Sequence, residues 1–383
     1  MSADVQPTPT STRALVSYEP TTASQVDWRL EDVSLREPKD DELVIRLVAT
    51  GICHTDLVFG SLPTPFTTYP KVLGHEGAGY IERAGAKVDV GKPGDAVLLS
   101  YSSCATCRDC VDHHPAYCES FAAINYETET DTFVSKEAAT PLGLGGLFFG
   151  QSSFANYTIV KQASVVNVSS IVRDESELKL FAPLGCGFQT GMGAVDVVAQ
   201  AGPGDAVVVL GVGGVGLSAI AAAKFNRSHT IIAVDRVKSK LQLALELGAT
   251  HVIESSDDTD LVAEVKALTQ GAGASIVVDT TGNMKVIEAG LALTANRGQL
   301  IIIGVPPMDA QLGVHLVTFM QTGKILRGCI EGDVNPAEYI PEMIKRFRAG
   351  QFPIDKLVNF YPEFHRALAE MKDGRSVKPV LVW

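Results

Sequence analysis

The segment Gly211-Val-Gly213-Gly214-Val215-Gly216 constrains the fold of this chain more than any other. It directly follows an apolar, β-branched run, Ala206–Leu210, and opens into an alanine-rich run of helical character, Val215–Phe225. A glycine-rich turn between strand and helix, with Asp235 closing the next strand-like run 24 residues beyond Gly211, is the pattern of a dinucleotide-binding βαβ unit. Gly211 permits the tight turn, Gly213 lets the backbone approach a pyrophosphate, and Gly216 lets helix and strand pack closely. The helix N-terminus, beginning at Gly214 and Val215, adds unpaired N–H groups and a partial positive charge. Asp235 is placed to accept hydrogen bonds from adenosine ribose hydroxyls and to repel a 2′-phosphate, which favours NAD. Arg236 beside it softens that repulsion, so NADP stays open at this point.

The same alternation continues beyond the turn. Strands are predicted at Thr230–Val234, Ser275–Val278 and Gln299–Ile303, and helices at Lys238–Leu247, Leu261–Thr269 and Lys285–Leu293. Such βαβα order implies a parallel sheet covered by helices. The first ~180 residues read differently: short strand-like runs such as Glu42–Leu47, Gly77–Ile81 and Asp95–Ser100 are separated by Gly, Pro and Asp turns, the texture of a β-rich domain. A helix at Ala337–Arg348 leads to a strand-like end, Pro379–Trp383.

Composition removes several classes of function. With 46% hydrophobic residues in 383, the chain has material for a large core. Its 32 basic and 44 acidic residues give a net charge of −12 without a basic stripe, which argues against nucleic-acid or anionic-membrane partners. Ala206–Ala223 is 18 residues long without a charge, the length of a membrane helix, but four glycines within six residues divide it into strand, turn and helix. The first twenty residues hold no apolar stretch of signal-peptide length, and a cytoplasmic protein is expected.

Seven cysteines are an odd number for a disulfide framework. Four of them, Cys104, Cys107, Cys110 and Cys118, lie within fifteen residues and supply enough thiolates for a closed tetrahedral zinc site. An iron–sulfur cluster competes for a CxxCxxC run, but such runs continue with a fourth cysteine after three residues and then proline, whereas here the gap is seven and Glu119 follows. Cys53, His75 and Cys186 each sit beside glycines; two thiolates and an imidazole would leave one coordination position open, the form of a catalytic zinc. Spacing alone does not bring these three together, and singly each reads first as a buried small residue or a satisfied core histidine. Cys329 reads as core.

The motifs GxCHTD, GHEGxG, CxxCxxCx7C, LGCGxxTG and GxGGxG occur in this order along essentially the whole chain. With them the sequence resembles the zinc-dependent alcohol dehydrogenases of the medium-chain dehydrogenase/reductase superfamily. The segments Phe149–Phe154, Pro183–Gly191 and Ile330–Asp333 resemble those of aryl-alcohol (benzyl alcohol) and geraniol-type allylic dehydrogenases. The resemblance implies an α/β protein in which a GroES-like β-rich catalytic domain (1–186 and 331–383, with a zinc lobe at about 100–120) is interrupted by a Rossmann doubly wound parallel-sheet domain (187–330). It implies two zinc ions per chain, NAD, a small alcohol or aldehyde substrate and a homo-oligomer. Cys53, His75 and Cys186 would hold the catalytic zinc, with Glu76 approaching it during ligand exchange, and the four clustered cysteines the structural one. Asp56 would orient His75, Thr55 would take the alcohol proton, and Thr190 would pack on the nicotinamide. His54 and Lys378 would contact the pyrophosphate and Lys240 the adenosine ribose; the plain reading of both lysines is solvated surface.

One position departs from many ethanol-type members. Val58 stands where they have a histidine that ends the proton relay, five residues after the first cysteine. Val58 cannot titrate, so a route through Thr55, the cofactor ribose and water is expected. Phe59, Tyr101, Phe121, Phe148, Phe149 and Phe154 lie near the site motifs and would suit a planar alcohol, although each reads equally as core. The stretch Phe121–Leu147 is expected to border the cleft entrance. Two other classes compete: a zinc-dependent enzyme acting on another carbonyl or polyol, and a catalytically silent binding protein with the same fold.

Overall fold

The computed structural model describes residues 10–22, 25–136 and 142–383. Of the stretch expected to border a cleft, 137–141 therefore lie outside the described residues, as do the first nine residues of the Ser/Thr/Pro-rich start. The chain divides into two units. One holds the chain up to Cys186 with Val358–Ala369 and Lys378–Trp383; the other holds Gly187–Leu357 and Glu370–Val377.

The second unit is built on a six-stranded parallel sheet. Its strands lie in the order His251–Glu254, Thr230–Asp235, Ala206–Leu210, Ala274–Asp279, Thr294–Ile302, Ile325–Gly328. Consecutive strands step outward in opposite directions on either side of Ala206–Leu210, so the sheet has a topological switch between that strand and Ala274–Asp279. The continuous apolar runs follow from burial on both faces. Val208, Leu210, Ile232, Val234, Val277 and Leu300 form one core with Leu261 and Val265 of helix Leu261–Leu268 and with Ile287 and Leu293 of helix Met284–Leu293. Asp260 and Asn283 cap these helices through backbone N–H groups of their first turns.

The first unit is the β-rich one. Strands Ser11–Tyr18, Asp27–Leu35, Glu129–Ser135, Leu142–Gly146 and Lys71–Val72 close into a small barrel. Beside it a seven-stranded sheet centres on Glu42–Gly51, which pairs with Gly77–Ala84 and Tyr157–Lys161. The last strand, Lys378–Val382, pairs antiparallel with Glu42–Gly51, so both chain ends build this unit. The expected α/β fold, a GroES-like β unit interrupted by a Rossmann sheet, is the one observed.

The second unit runs to Leu357, beyond residue 330. Helix Pro336–Arg348 accounts for the difference. Arg346 Nη1 and Tyr339 Oη both lie 2.6 Å from Asp196 Oδ2, which ties this helix to the second unit through a largely buried ion pair.

Candidate active site and metal centres

Cys53 is where strand Glu42–Gly51 gives way to helix His54–Ser61, with extended backbone at the helix N-cap. The third helical residue, Asp56, turns back so that its Oδ2 accepts from Cys53 N at 3.0 Å. Its other oxygen accepts from Gly74 N at 3.0 Å and meets His75 Nδ1 at 2.8 Å. One buried carboxylate thus fixes the backbone of Cys53, the backbone of Gly74 next to His75, and the His75 ring. Gly74 is required for the approach: its φ is +90°, and a Cβ there would lie 2.5 Å from Phe154 N. Gln151 completes the scaffold, its Nε2 donating to His75 O and Ser100 O and its Oε1 accepting from Gly77 N.

A carboxylate only accepts, so Nδ1 of His75 carries the proton toward Asp56 and Nε2 is left as the ligand atom. Nε2 is buried and has no hydrogen-bond partner. Cys186 arrives from the turn Ala182–Gly185, which is pressed so tightly on the sheet that a Cβ at Gly185 would lie 1.9 Å from Leu99 O. Ligand atoms of Cys53, His75, Glu76 and Cys186 all lie within 4.8 Å of one another. A hydrogen bond from Cys186 holds the Cys53 thiol well below its ordinary range against the cost of burial, with help from the charge of His75. Burial works against a cationic His75, but Asp56 and Cys53 outweigh it and make the ring more basic than a free imidazole. An orphaned ring nitrogen, two thiols and a carboxylate brought this close together are a donor set that fits zinc.

Glu76 is fully buried and ends on Lys378, whose Nζ lies 2.8 and 3.0 Å from its two oxygens. Lys378 is only 5% exposed, so it is no solvated surface residue, and its ammonium is engaged by Glu76 and by Ile52 O at 3.4 Å. Thr55 Oγ1 lies 3.7 Å from Cys53 Sγ, and His54 is exposed at the start of the same helix. Val58 lies partly buried in that helix.

Aromatic rings pack around the histidine. Phe149 stacks on His75 at 4.5 Å, Phe148 meets it edge-on at 5.7 Å, and Phe59 touches Phe148 at 5.3 Å. Phe121 contacts Phe149 and Tyr101. Phe154 stands apart and packs on Trp28 at 5.3 Å, which makes it core. Tyr126 joins Phe59, Phe121 and Phe149 at 4.9–5.7 Å, and no motif marks it in the sequence.

The four-cysteine lobe is also assembled. Sulfur–sulfur distances are 3.4 Å for Cys107–Cys110 and 3.9 Å for Cys104–Cys110. They bracket the roughly 3.8 Å edge of a tetrahedron with metal–sulfur bonds of about 2.3 Å. Backbone N–H groups of Cys107 and Cys118's neighbour Cys104 point at sulfurs, at 3.3 and 3.4 Å. Such donors stabilise thiolate, and the N–H groups of Thr106 and Cys107 bring the Cys104 thiol down to about 6.

In the second unit the glycine turn has the geometry its spacing predicts. Gly211 has φ +86°, and a Cβ at Gly216 would lie 2.0 Å from Gly211 O. A Cβ at Gly213 would meet nothing within 4 Å, so this side of the turn is an open cradle at the N-cap of helix Gly214–Phe225. Asp235 Oδ2 accepts from Val212 N and Oδ1 from Val237 N, both at 2.8 Å, which aims the carboxylate at the turn. These residues fit a dinucleotide. Thr190 is 7% exposed in helix Gly187–Gly193, and Lys240 is half-buried beside Gly374.

Residues 39–170 match the family model of the alcohol dehydrogenase GroES-like domain, and 214–349 match that of the zinc-binding dehydrogenase. Geraniol dehydrogenase of Castellaniella defragrans is 38% identical over 380 residues, covering 97% of this chain and 99% of that protein. The chain belongs to the zinc-dependent medium-chain alcohol dehydrogenases. Two solved structures place this alcohol dehydrogenase further. An alcohol dehydrogenase zinc-binding domain protein from Burkholderia ambifaria has a TM-score of 0.90 at 36% identity, covering 98% of this chain and 99% of that one. The benzyl alcohol dehydrogenase of Acinetobacter calcoaceticus has 0.87 at 36%, covering 97% and 99%.

Proposed function

We propose that this alcohol dehydrogenase uses NAD and zinc to interconvert a primary aryl or allylic alcohol and its aldehyde. The observation that carries the reading is the set of half-buried Cys53 with buried His75, Glu76 and Cys186, and with His75 Nε2 left unpartnered among them. Zinc bound there supplies a Lewis acid that brings the pKa of an alcohol toward neutrality. Asp56 holds the imidazole in the ligating tautomer, and the Thr55 hydroxyl, which both accepts and donates, takes the substrate proton. Lys378 holds the Glu76 carboxylate by a hydrogen-bonded pair beside the site, where Glu76 serves as a reserve ligand during exchange. In the second unit, the open cradle at Gly213 and the positive end of helix Gly214–Phe225 receive the pyrophosphate. Asp235 supports NAD over NADP, with its lone pairs left for ribose hydroxyls. The rings of Phe59, Phe148 and Phe149 beside His75 favour a flat, apolar substrate, as do the names of the geraniol and benzyl alcohol relatives.

The partner we propose is a second copy of this chain. Strand Ile325–Gly328 is an edge strand exposed at every residue, and it follows helix Leu316–Thr322, whose Leu316 and Met320 are 76% and 74% exposed. Pairing two such edges would bury both. Cytoplasm is the proposed compartment, where seven free thiols stay reduced. Among the described residues no helix is long and apolar enough to cross a membrane.

The test is NAD reduction measured over benzyl, cinnamyl, geranyl and short aliphatic alcohols, beside NADP. The reading expects benzyl, cinnamyl or geranyl alcohol with NAD to give the highest kcat/KM. Turnover confined to aliphatic alcohols or polyols, or a preference for NADP, overturns it.

A further inference from the structure

Ile330–Asp333 follows the outermost strand of the parallel sheet and has an unusual backbone. Glu331, Gly332 and Asp333 are all left-handed, with φ of +52°, +72° and +53°. Two of the three are not glycine, and an L-residue adopts this conformation at a cost and keeps it only where its surroundings impose it. Those surroundings are the helix Gly187–Gly193. Gln189 Nε2 donates to Glu331 Oε2 at 2.9 Å, with Gln189 fully buried and Glu331 7% exposed. Backbone contact is equally close: a Cβ at Gly332 would lie 2.4 Å from Gln189 O, and one at Gly193 would lie 2.5 Å from Gly332 O. On another face the same helix is pressed against the glycine turn's helix, where a Cβ at Gly191 would lie 1.9 Å from Val215 O. Helix Gly187–Gly193, with Thr190 next to Gln189, is thus clamped between the strained turn and helix Gly214–Phe225.

Sheet order says which half of a dinucleotide this clamp serves. Asp235 ends the strand on one side of the switch and marks the adenosine half. A ligand crossing the carboxyl ends of the strands puts its other half over Ala274–Asp279, Thr294–Ile302 and Ile325–Gly328, and the Glu331–Asp333 turn follows the last of these. A buried carboxylate is also an expensive way merely to fill space, since an apolar side chain packs without desolvation cost.

We infer that Glu331 is a positioning residue for the nicotinamide half of the cofactor, acting through Gln189 on the helix that carries Thr190. The inference rests on the NAD-dependent reading above. It separates the two halves of the cofactor, so it is tested by binding NADH and ADP-ribose calorimetrically to the zinc-loaded enzyme and its variants. Glu331→Ala weakens NADH by about tenfold, the worth of one hydrogen bond to a charged group, and leaves ADP-ribose within about twofold. Gln189→Ala removes the same bond from the other side and gives the same split. Glu331→Gln, whose side-chain oxygen still accepts from Gln189, stays within about threefold of the parent for NADH. Equal losses for NADH and ADP-ribose, or no loss for either, overturn the inference. A parent enzyme that binds ADP-ribose and NADH equally weakly overturns the NAD reading itself, and the inference with it.

Discussion

Lys378 and Glu76 form a largely buried ion pair, with Nζ 2.8 and 3.0 Å from the two carboxylate oxygens. Burial alone pushes Glu76 up, toward its neutral form, and Lys378 is the largest opposing influence. Burial also works against charged Lys378, but Glu76, Cys53 and Cys186 hold its pKa above the ordinary lysine range. Burial still prevails at Glu76, whose carboxyl stays above its ordinary range, and each member of the pair offsets part of the other's desolvation.

Breaking such a pair from one side strands a buried charge, so Lys378→Met should cost about 3–5 kcal/mol of stability. Denaturant unfolding of the zinc-loaded protein measures this. Glu76→Gln added to Lys378→Met should recover most of the loss; a single variant as stable as the parent contradicts the account.

Asp56 anchors Cys53, Gly74 and His75 at once. Asp56→Ala should weaken zinc at the neighbouring site by about 10–100-fold, as loss of a ligand's orienting partner typically does. Competition with a chromogenic chelator reads this directly, with zinc in the four-cysteine lobe unchanged. Parent-like affinity at both sites would be the contrary result.

Lys71 is fully buried over the rings of Tyr69 and Phe59, with its Nζ on Thr67 and no carboxylate to offset desolvation among the described residues. Burial lowers it to about 7, against about 10.4 in the unfolded chain. Between those values the unfolded state binds the extra proton, so this group's penalty is full below pH ~7 and fades as pH rises to ~10. Lys71→Met should be more stable than the parent near neutrality, with the difference shrinking toward pH ~10. Parallel stability curves for the two proteins would refute the assignment.

Val58 cannot carry a proton from Thr55, so Val58→His should raise the rate of hydride transfer below neutral pH. Single-turnover kinetics across pH checks this. An unchanged pH–rate profile counts against proton exit through Thr55, the cofactor ribose and water.

Much of this architecture is legible in the chain because periodicity and spacing are local. Gly211–Gly216 and Asp235 report a strand, turn and helix within 25 residues, and the four-cysteine lobe closes within fifteen. What spacing could not supply is long-range. Cys53, His75 and Cys186 come together only because helix His54–Ser61, the Gly74 turn and the Gly185 turn converge on one sheet. The family motifs, not the spacings, name them. Lys378 reads plainly as a surface lysine, since nothing in a local window tells a lysine that its partner is Glu76, and no local signal singles out Lys71 for burial against aromatic rings. Tyr126 stands in no motif and is recruited by packing alone. Helix Pro336–Arg348 belongs to the second unit because of Asp196, some 140 residues earlier in the chain.

The most direct test of the catalytic centre is zinc content and NAD-dependent turnover measured together on the parent and on Cys186→Ser. One zinc for each ligand cluster is expected in the parent, two per chain. The variant should keep the zinc of Cys104, Cys107, Cys110 and Cys118, still bind NADH, and lose turnover. Alcohol oxidation persisting in Cys186→Ser after its second zinc is gone would contradict the account.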